Sequence, residues 1–304
     1  MNREFRKQFC KIYNIPIKIF DSPVFDDRME LLDSVYNTKA FYESFKNEVA
    51  EFKNLEEYLA YYNSFKENVI QHILAKPEYT LFNNANMNEY KNELSNIKKQ
   101  SLYQPSRDGQ YFLGFDLSQA NFNAMKFFNK NIIDGFDSYE EFVAQFTDKK
   151  HLINSKYVRQ VIFGTCNPSR QVTIEKYLMT FILKEILKKY DVSDIVHFSE
   201  DEIVISVKED NELVSKILEI ADSMGFKIRV EQYKLVKVDG TDGYFKIFKD
   251  GSYKLKCANS LMVPFIVRKI TNTEPLETDK IFIHEGFQCK FVDTPSINIP
   301  TFIY

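Results

Sequence analysis

One aspartate at the end of an apolar strand constrains this chain more than any other feature. Tyr111-Phe112-Leu113-Gly114-Phe115 is a short, aromatic-rich run preceded by the turn cluster Pro105-Ser106-Arg107-Asp108-Gly109. Such a run reads as a buried strand. It delivers a single acidic residue, Asp116, after which Ala120, Ala124 and Phe127 recur at helical spacing. A carboxylate in that position is costly unless positive charge meets it. A helix N-terminus or a metal ion would supply that charge.

A second stretch has the same character. Residues 194–207, DIVHFSEDEIVISV, are two apolar runs around an acidic corner, Ser199-Glu200-Asp201-Glu202. The pattern predicts a β-hairpin with carboxylates at its tip. If its strands neighbour the Asp116 strand in one sheet, Asp116 and Asp201 can share a divalent cation. Hard cations such as Mg²⁺ take oxygen ligands and keep substrate phosphates in their shell.

The chain has 304 residues, enough to bury a large core. Its net charge of −3 argues against a general nucleic-acid coat protein, yet leaves room for a groove with locally positive walls. Cys10, Cys166, Cys257 and Cys289 are far apart and form no zinc or disulfide pattern. They are expected as reduced thiols in a cytoplasmic setting. The N-terminal residues are too charged for a signal peptide, and no apolar run reaches membrane-spanning length. The bias to Asn, Lys, Ile, Phe and Tyr suits an AT-rich genome, as in a virus, a phage or a low-GC host.

Helices are expected over residues 38–75, where Phe41, Phe45, Val49 and Phe52 form a stripe that Tyr58, Tyr62 and Phe65 continue. These aromatics read as core packing. A charged helical piece is expected near Glu89–Lys99. Residues 149–190 form a basic block with Glu175 and Glu185 as its only acids, and Val172–Leu187 within it is an amphipathic helix. A helix over Asn211–Ser223 is stopped by Gly225. Strands follow at Phe226–Val238, Tyr244–Phe248 and Ser252–Cys257, with short ones at 281–283 and 287–291. His72, His151, His197 and His284 have no metal-ligand pattern. The expected class is α+β, an antiparallel sheet backed by helices. The expected organisation is a mainly helical N-terminal region (1–104), a central domain (105–260) and a C-terminal extension (261–304).

This order of elements resembles the palm of nucleic-acid polymerases. Asp116-Leu117-Ser118-Gln119 is similar to the D-x-S-Q of motif A in family A DNA polymerases. Residues 156–164, KYVRQVIFG, are similar to their fingers helix, where a basic residue precedes Phe/Tyr-Gly; here these are Arg159, Phe163 and Gly164. Asp201-Glu202 followed by an apolar strand resembles motif C. The short interval from Gly164 to Asp201, and the helix–Gly–Phe–strand–Lys run ending at Lys234, are closest to reverse-transcriptase-like and single-subunit viral polymerases. The corner departs from their aromatic–x–Asp–Asp pattern, reading Phe198-Ser199-Glu200-Asp201-Glu202. The resemblance covers roughly residues 105–260.

What the resemblance implies is an Mg²⁺- or Mn²⁺-dependent nucleotidyltransferase acting on a nucleic-acid primer or template and nucleoside triphosphates, with no membrane and with other replication or transcription proteins as further partners. Asp116, Asp201 and Glu202 would hold the metal, with Asp201 the main ligand of the corner; the alternative register brings in Glu200. Arg159 and Arg170 would meet triphosphate oxygens. Lys234 would protonate the leaving pyrophosphate. Asn121, five residues after the motif A aspartate, would lie under the sugar; its polar side chain implies acceptance of ribonucleotides, with Phe122 as a possible gate. Nucleic acid would lie along the basic block. The competing expectation is a non-catalytic palm-fold protein that binds nucleic acid or a polymerase. It draws on the net negative charge, the missing second aspartate and the absence of a recognisable thumb.

Overall fold

The computed structural model describes residues 2–91, 101–299 and 303–304. The N-terminal part is helical: α1 (Arg3–Ile12), α2 (Val24–Leu31), α3 (Asp33–Tyr36), α4 (Thr38–Val49), α5 (Leu55–Leu74) and α6 (Pro77–Asn84). Strand β1 (Tyr111–Leu117) leads into α7 (Ala120–Phe128), α8 (Tyr139–Val143), α9 (Lys150–Ile153), α10 (Lys156–Gly164) and α11 (Pro168–Ile186). The hairpin β2 (Ile195–Phe198) and β3 (Glu202–Ile205) precedes α12 (Asn211–Ser223) and β4 (Ile228–Lys237). Then come β5 (Tyr244–Phe248), β6 (Tyr253–Lys256), α13 (Val263–Ile270), β7 (Ile281–His284) and β8 (Phe287–Lys290). Beyond Lys91 the helical piece expected at Glu89–Lys99 lies outside the described residues, and Met87–Tyr90 is a 3-10 turn.

The fold is α+β with an antiparallel sheet, as the alternation of apolar runs required. The strand order is β2-β3-β1-β4-β5-β6, with β7 and β8 as a separate pair. The chain divides into two compact units: residues 63–148 with 158–233, and residues 1–62 with 149–157 and 234–304.

In the unit formed by residues 63–148 and 158–233, β1 is flanked by β3 and the first part of β4. The hairpin pairs Phe198 with Ile203, and β3 pairs Ile203 with Phe115. Phe112, Phe115, Ile203 and Val204 have no exposure, because this part of the sheet carries helices. Helix α11 packs on α7 and α12 through Ile174, Leu178 and Ile182, which recur at helical spacing and are fully buried. Asp210 caps α12 by accepting a hydrogen bond from the Leu213 amide (3.1 Å). Gly225, at φ +74°, reverses the chain after it.

In the other unit, Val236, Val238, Phe245, Ile247 and Ile266 form one core between the sheet and α13. Part of the aromatic stripe of α4 and α5 is core here: Phe45 and Tyr58 are fully buried, edge to face at 6.0 Å, whereas Phe41 is exposed. Buried Asp279 accepts from Arg268 Nε at 2.8 Å, and Arg28 donates to the carbonyls of Thr278, Asp279 and Ile281. No helix among the described residues is long and apolar enough to cross a membrane.

Candidate functional site

Strand register brings the two acidic stretches together. Asp116 on β1 is the direct cross-strand partner of Glu202 on β3, and the Leu117 amide donates to the Asp201 carbonyl at 2.7 Å. Residues directly opposite one another in an antiparallel pair share a face of the sheet. The corner is a tight turn: the Ser199 amide donates to the Glu202 carbonyl (2.8 Å), and the Glu202 amide donates back to Ser199 Oγ (3.0 Å). Ser199 Oγ also donates to Asp201 Oδ1 at 3.0 Å. Glu202 is therefore the corner carboxylate opposite Asp116, while Asp201 stands at the exposed tip.

The electrostatics follow. Burial pushes the Asp116 carboxyl above the usual carboxylate range; nearby Arg229 pulls it down, and Glu202, Asp201 and Glu231 push it up. Glu175, projecting from α11, is buried, and among the described residues it makes no hydrogen bond or ion pair. Burial, with Asp201 and Glu200 adding repulsion, pushes it up to about 7. Several carboxylates thus converge at one end of β1.

Two arginines face this end. Arg229 on β4 pairs through Nη2 with Asp116 Oδ2 (3.1 Å) and through Nε with Glu231 Oε1 (3.4 Å). Arg159 on α10 makes no hydrogen bond or ion pair among the described residues, and its Nε is buried without a partner. Its guanidinium carbon lies 5.7 Å from the centroid of the Tyr139 ring. Burial lowers its basicity, which Tyr139, Glu140 and Asp116 support.

The Asp-x-Ser-Gln run leads from β1 into α7. Gln119 takes a left-handed conformation (φ 47°) ahead of α7, unusual for a residue with a side chain. Its amide donates to both Glu140 carboxylate oxygens at 2.8 Å and accepts from the Tyr139 amide at 3.2 Å. Asn121 Oδ1 accepts from the Phe122 amide (3.0 Å). Phe122 is fully buried against Phe163, ring centroids 6.0 Å apart, so it fills core and does not gate a cleft. Phe163 is likewise fully buried, and Gly164 ends α10 with open space where a Cβ would stand.

Other residues singled out from the sequence are engaged elsewhere. Arg170 Nη1 donates to the carbonyls of Phe82 (3.0 Å) and Ala85 (2.8 Å), tying down the end of α6. Lys234 Nζ donates to the Ile303 carbonyl at 3.1 Å, in the unit of residues 1–62, 149–157 and 234–304. The basic block is partly neutralised: Lys149 is buried and paired with Glu51, and Lys189 pairs with Asp210. Arg229, Glu231, Glu175 and Glu140 carried no sequence signal, because each is brought to Asp116, Asp201 or Gln119 by long-range pairing or packing.

The carboxylates around Asp116 offer oxygen donors, suited to a hard cation, and His197 Nε2 lies 3.9 Å from Glu202 Oε2. Among the described residues no group of three or more His, Cys, Asp or Glu side chains is placed to hold a metal ion. The cross-strand pair Asp116 and Glu202, with Asp201 beside it, instead suits an open site of the kind that binds Mg²⁺ through one or two carboxylates and completes its shell with substrate phosphates. The gathering of Glu202, Asp201 and Glu231 about Asp116 is the observation that makes a cation fit. No family model, no curated protein and no solved structure matches the chain.

Proposed function

We propose that this protein is a nucleotidyltransferase with a polymerase-like palm, joining nucleotides from nucleoside triphosphates to a 3′-hydroxyl. The observation that carries the reading is the register that sets Asp116 opposite Glu202 in a carboxylate cluster. Unpaired Arg159 adds to it.

Asp116 and Glu202, with Asp201 at the turn, would hold Mg²⁺ or Mn²⁺. When bound, such an ion supplies charge neutralisation at the phosphates and acidifies the attacking hydroxyl. Arg159 would meet a phosphate oxygen with a charge-assisted hydrogen bond, since its donors have no protein acceptor among the described residues. The Gln119–Glu140 link would fix the start of α7 and so orient Asn121. With its Oδ1 held by the Phe122 amide, Asn121 has its side-chain NH₂ to offer a sugar hydroxyl, which favours ribonucleotides. Arg170 and Lys234, bonded to main-chain carbonyls, carry no step in this scheme.

A second reading has one observation in its favour. Asp116 is already ion-paired with Arg229, as it would be in a non-catalytic palm-like protein that binds nucleic acid or a polymerase. Primer extension separates the two. Labelled DNA and RNA primers, with and without template, are offered NTPs or dNTPs in Mg²⁺ or Mn²⁺. Extension favouring NTPs supports the first reading, and nucleic-acid binding without extension supports the second.

A further inference from the structure

Arg229 is the one arginine paired with the central carboxylate, and nothing in the motif pattern singles it out. It stands on β4 beside β1: the Ser118 amide donates to the Lys227 carbonyl (2.9 Å), and two residues along, Asp116 pairs with Arg229. Asp116 therefore has a carboxylate across one strand boundary and a guanidinium across the other. Arg229 also reaches Glu231, whose side chain is 7% exposed, whereas its own is 54% exposed. Its pairs are thus made from the solvent side.

Resting on the reading above, we propose that Arg229 is a displaceable clasp: it neutralises Asp116 when no divalent cation is bound, and it turns to the nucleotide's phosphates when one enters. Three points carry this. First, an ion pair made by a half-exposed arginine is weakened by solvent, so its displacement is easy. Second, Arg229 bonds Asp116 and Glu231 alone, whereas a divalent ion in its place can draw on Asp116 and its cross-strand partner Glu202 together. Third, the planar guanidinium fork that fits a carboxylate also fits a phosphate, so an arginine released from Asp116 keeps a use at the site. Lys234, the basic residue expected from sequence to serve this strand, is five positions along. Strand alternation turns it to the opposite face.

The test is Mn²⁺ binding, followed by electron paramagnetic resonance without nucleotide, on wild type, Arg229→Gln, Arg229→Lys and Asp116→Asn. ATP binding in Mg²⁺ is then measured by calorimetry. The clasp predicts that Arg229→Gln binds Mn²⁺ roughly 3–10-fold more tightly than wild type and ATP roughly 10-fold more weakly, the size of a lost charge-assisted contact. Arg229→Lys, which keeps the charge, should stay near wild type for Mn²⁺ while losing part of the ATP affinity. Unchanged or weaker Mn²⁺ binding in Arg229→Gln, with binding lost in Asp116→Asn, overturns the clasp and leaves the metal-site reading standing. Mn²⁺ binding that ignores Asp116 in every variant overturns both. Because Arg229 is half-exposed, Arg229→Met serves as a second neutral variant if the glutamine does not fold.

Discussion

Asp116 and Glu202 face each other across the β1–β3 pair, two carboxylates in direct cross-strand register. Like charges so placed oppose folding by about 0.2–1 kcal/mol. Glu202→Gln should therefore stabilise the metal-free protein by about 0.5–1 kcal/mol in urea denaturation with EDTA. It should also remove most of the added stability that Mg²⁺ gives the wild type. Destabilisation in EDTA would mean that Glu202 is satisfied by protein partners.

Glu175 gives a pH signature. Its carboxyl is raised from 4.5 to about 7 by burial and by repulsion from Asp201 and Glu200. A raised acid contributes stability that is complete below about pH 4.5 and is lost as pH rises through about 7. The shift corresponds to at most about 3 kcal/mol. Glu175→Gln should be more stable than wild type at pH 8 and little different at pH 5, both in EDTA. The reverse order would mean that a cation of the protein meets Glu175.

His151 behaves oppositely. It is buried, with Nδ1 2.9 Å from Glu48 Oε2 and Nε2 3.0 Å from the Tyr58 hydroxyl. Burial holds its pKa below 6.5 in spite of Glu48. Its neutral form is the folded one, so stability is present above pH 6.5 and falls as the pH drops towards the folded value. Tyr58→Phe, which strips Nε2 of its partner, should cost about 1–3 kcal/mol at neutral pH. A neutral result would show that Nε2 finds another partner.

Much of this was written in the sequence. The apolar runs of β1 and of the acidic hairpin, the spacing in α11, and the Asp210 and Gly225 signals around α12 are local, and local pattern finds them. The three-way relation of Asp116 to Glu202 and Arg229 is not local. It depends on strand order and register, which no stretch of β3 or β4 records by itself. The same limit applies to Arg170 and Lys234, whose charge is visible in the sequence while their carbonyl partners, Phe82, Ala85 and Ile303, are not. Phe122 looked like a gate beside Asn121 because helix phase alone does not reveal that Phe163 packs against it.

Arg159 and Arg170 should separate cleanly. Arg170→Ala removes two bonds that close α6 and should cost about 1–3 kcal/mol of stability. Arg159→Ala removes a guanidinium with no hydrogen-bond partner among the described residues, so it should leave stability nearly unchanged. It should weaken ATP binding in Mg²⁺ by roughly 10-fold or more. Thermal melts and calorimetry on the same two variants decide it. A large stability loss in Arg159→Ala would make that arginine structural.

Under the proposed function, Asp116 serves nucleotide transfer. The most direct test is single-nucleotide incorporation into a labelled primer by wild type and Asp116→Asn, matched for fold by circular dichroism, in Mg²⁺ and in Mn²⁺. The account predicts incorporation by wild type and a loss of at least about 100-fold in Asp116→Asn, the scale of removing a group that stabilises transition-state charge. Incorporation undiminished in Asp116→Asn, or none by wild type with any nucleotide, primer and metal, would contradict it.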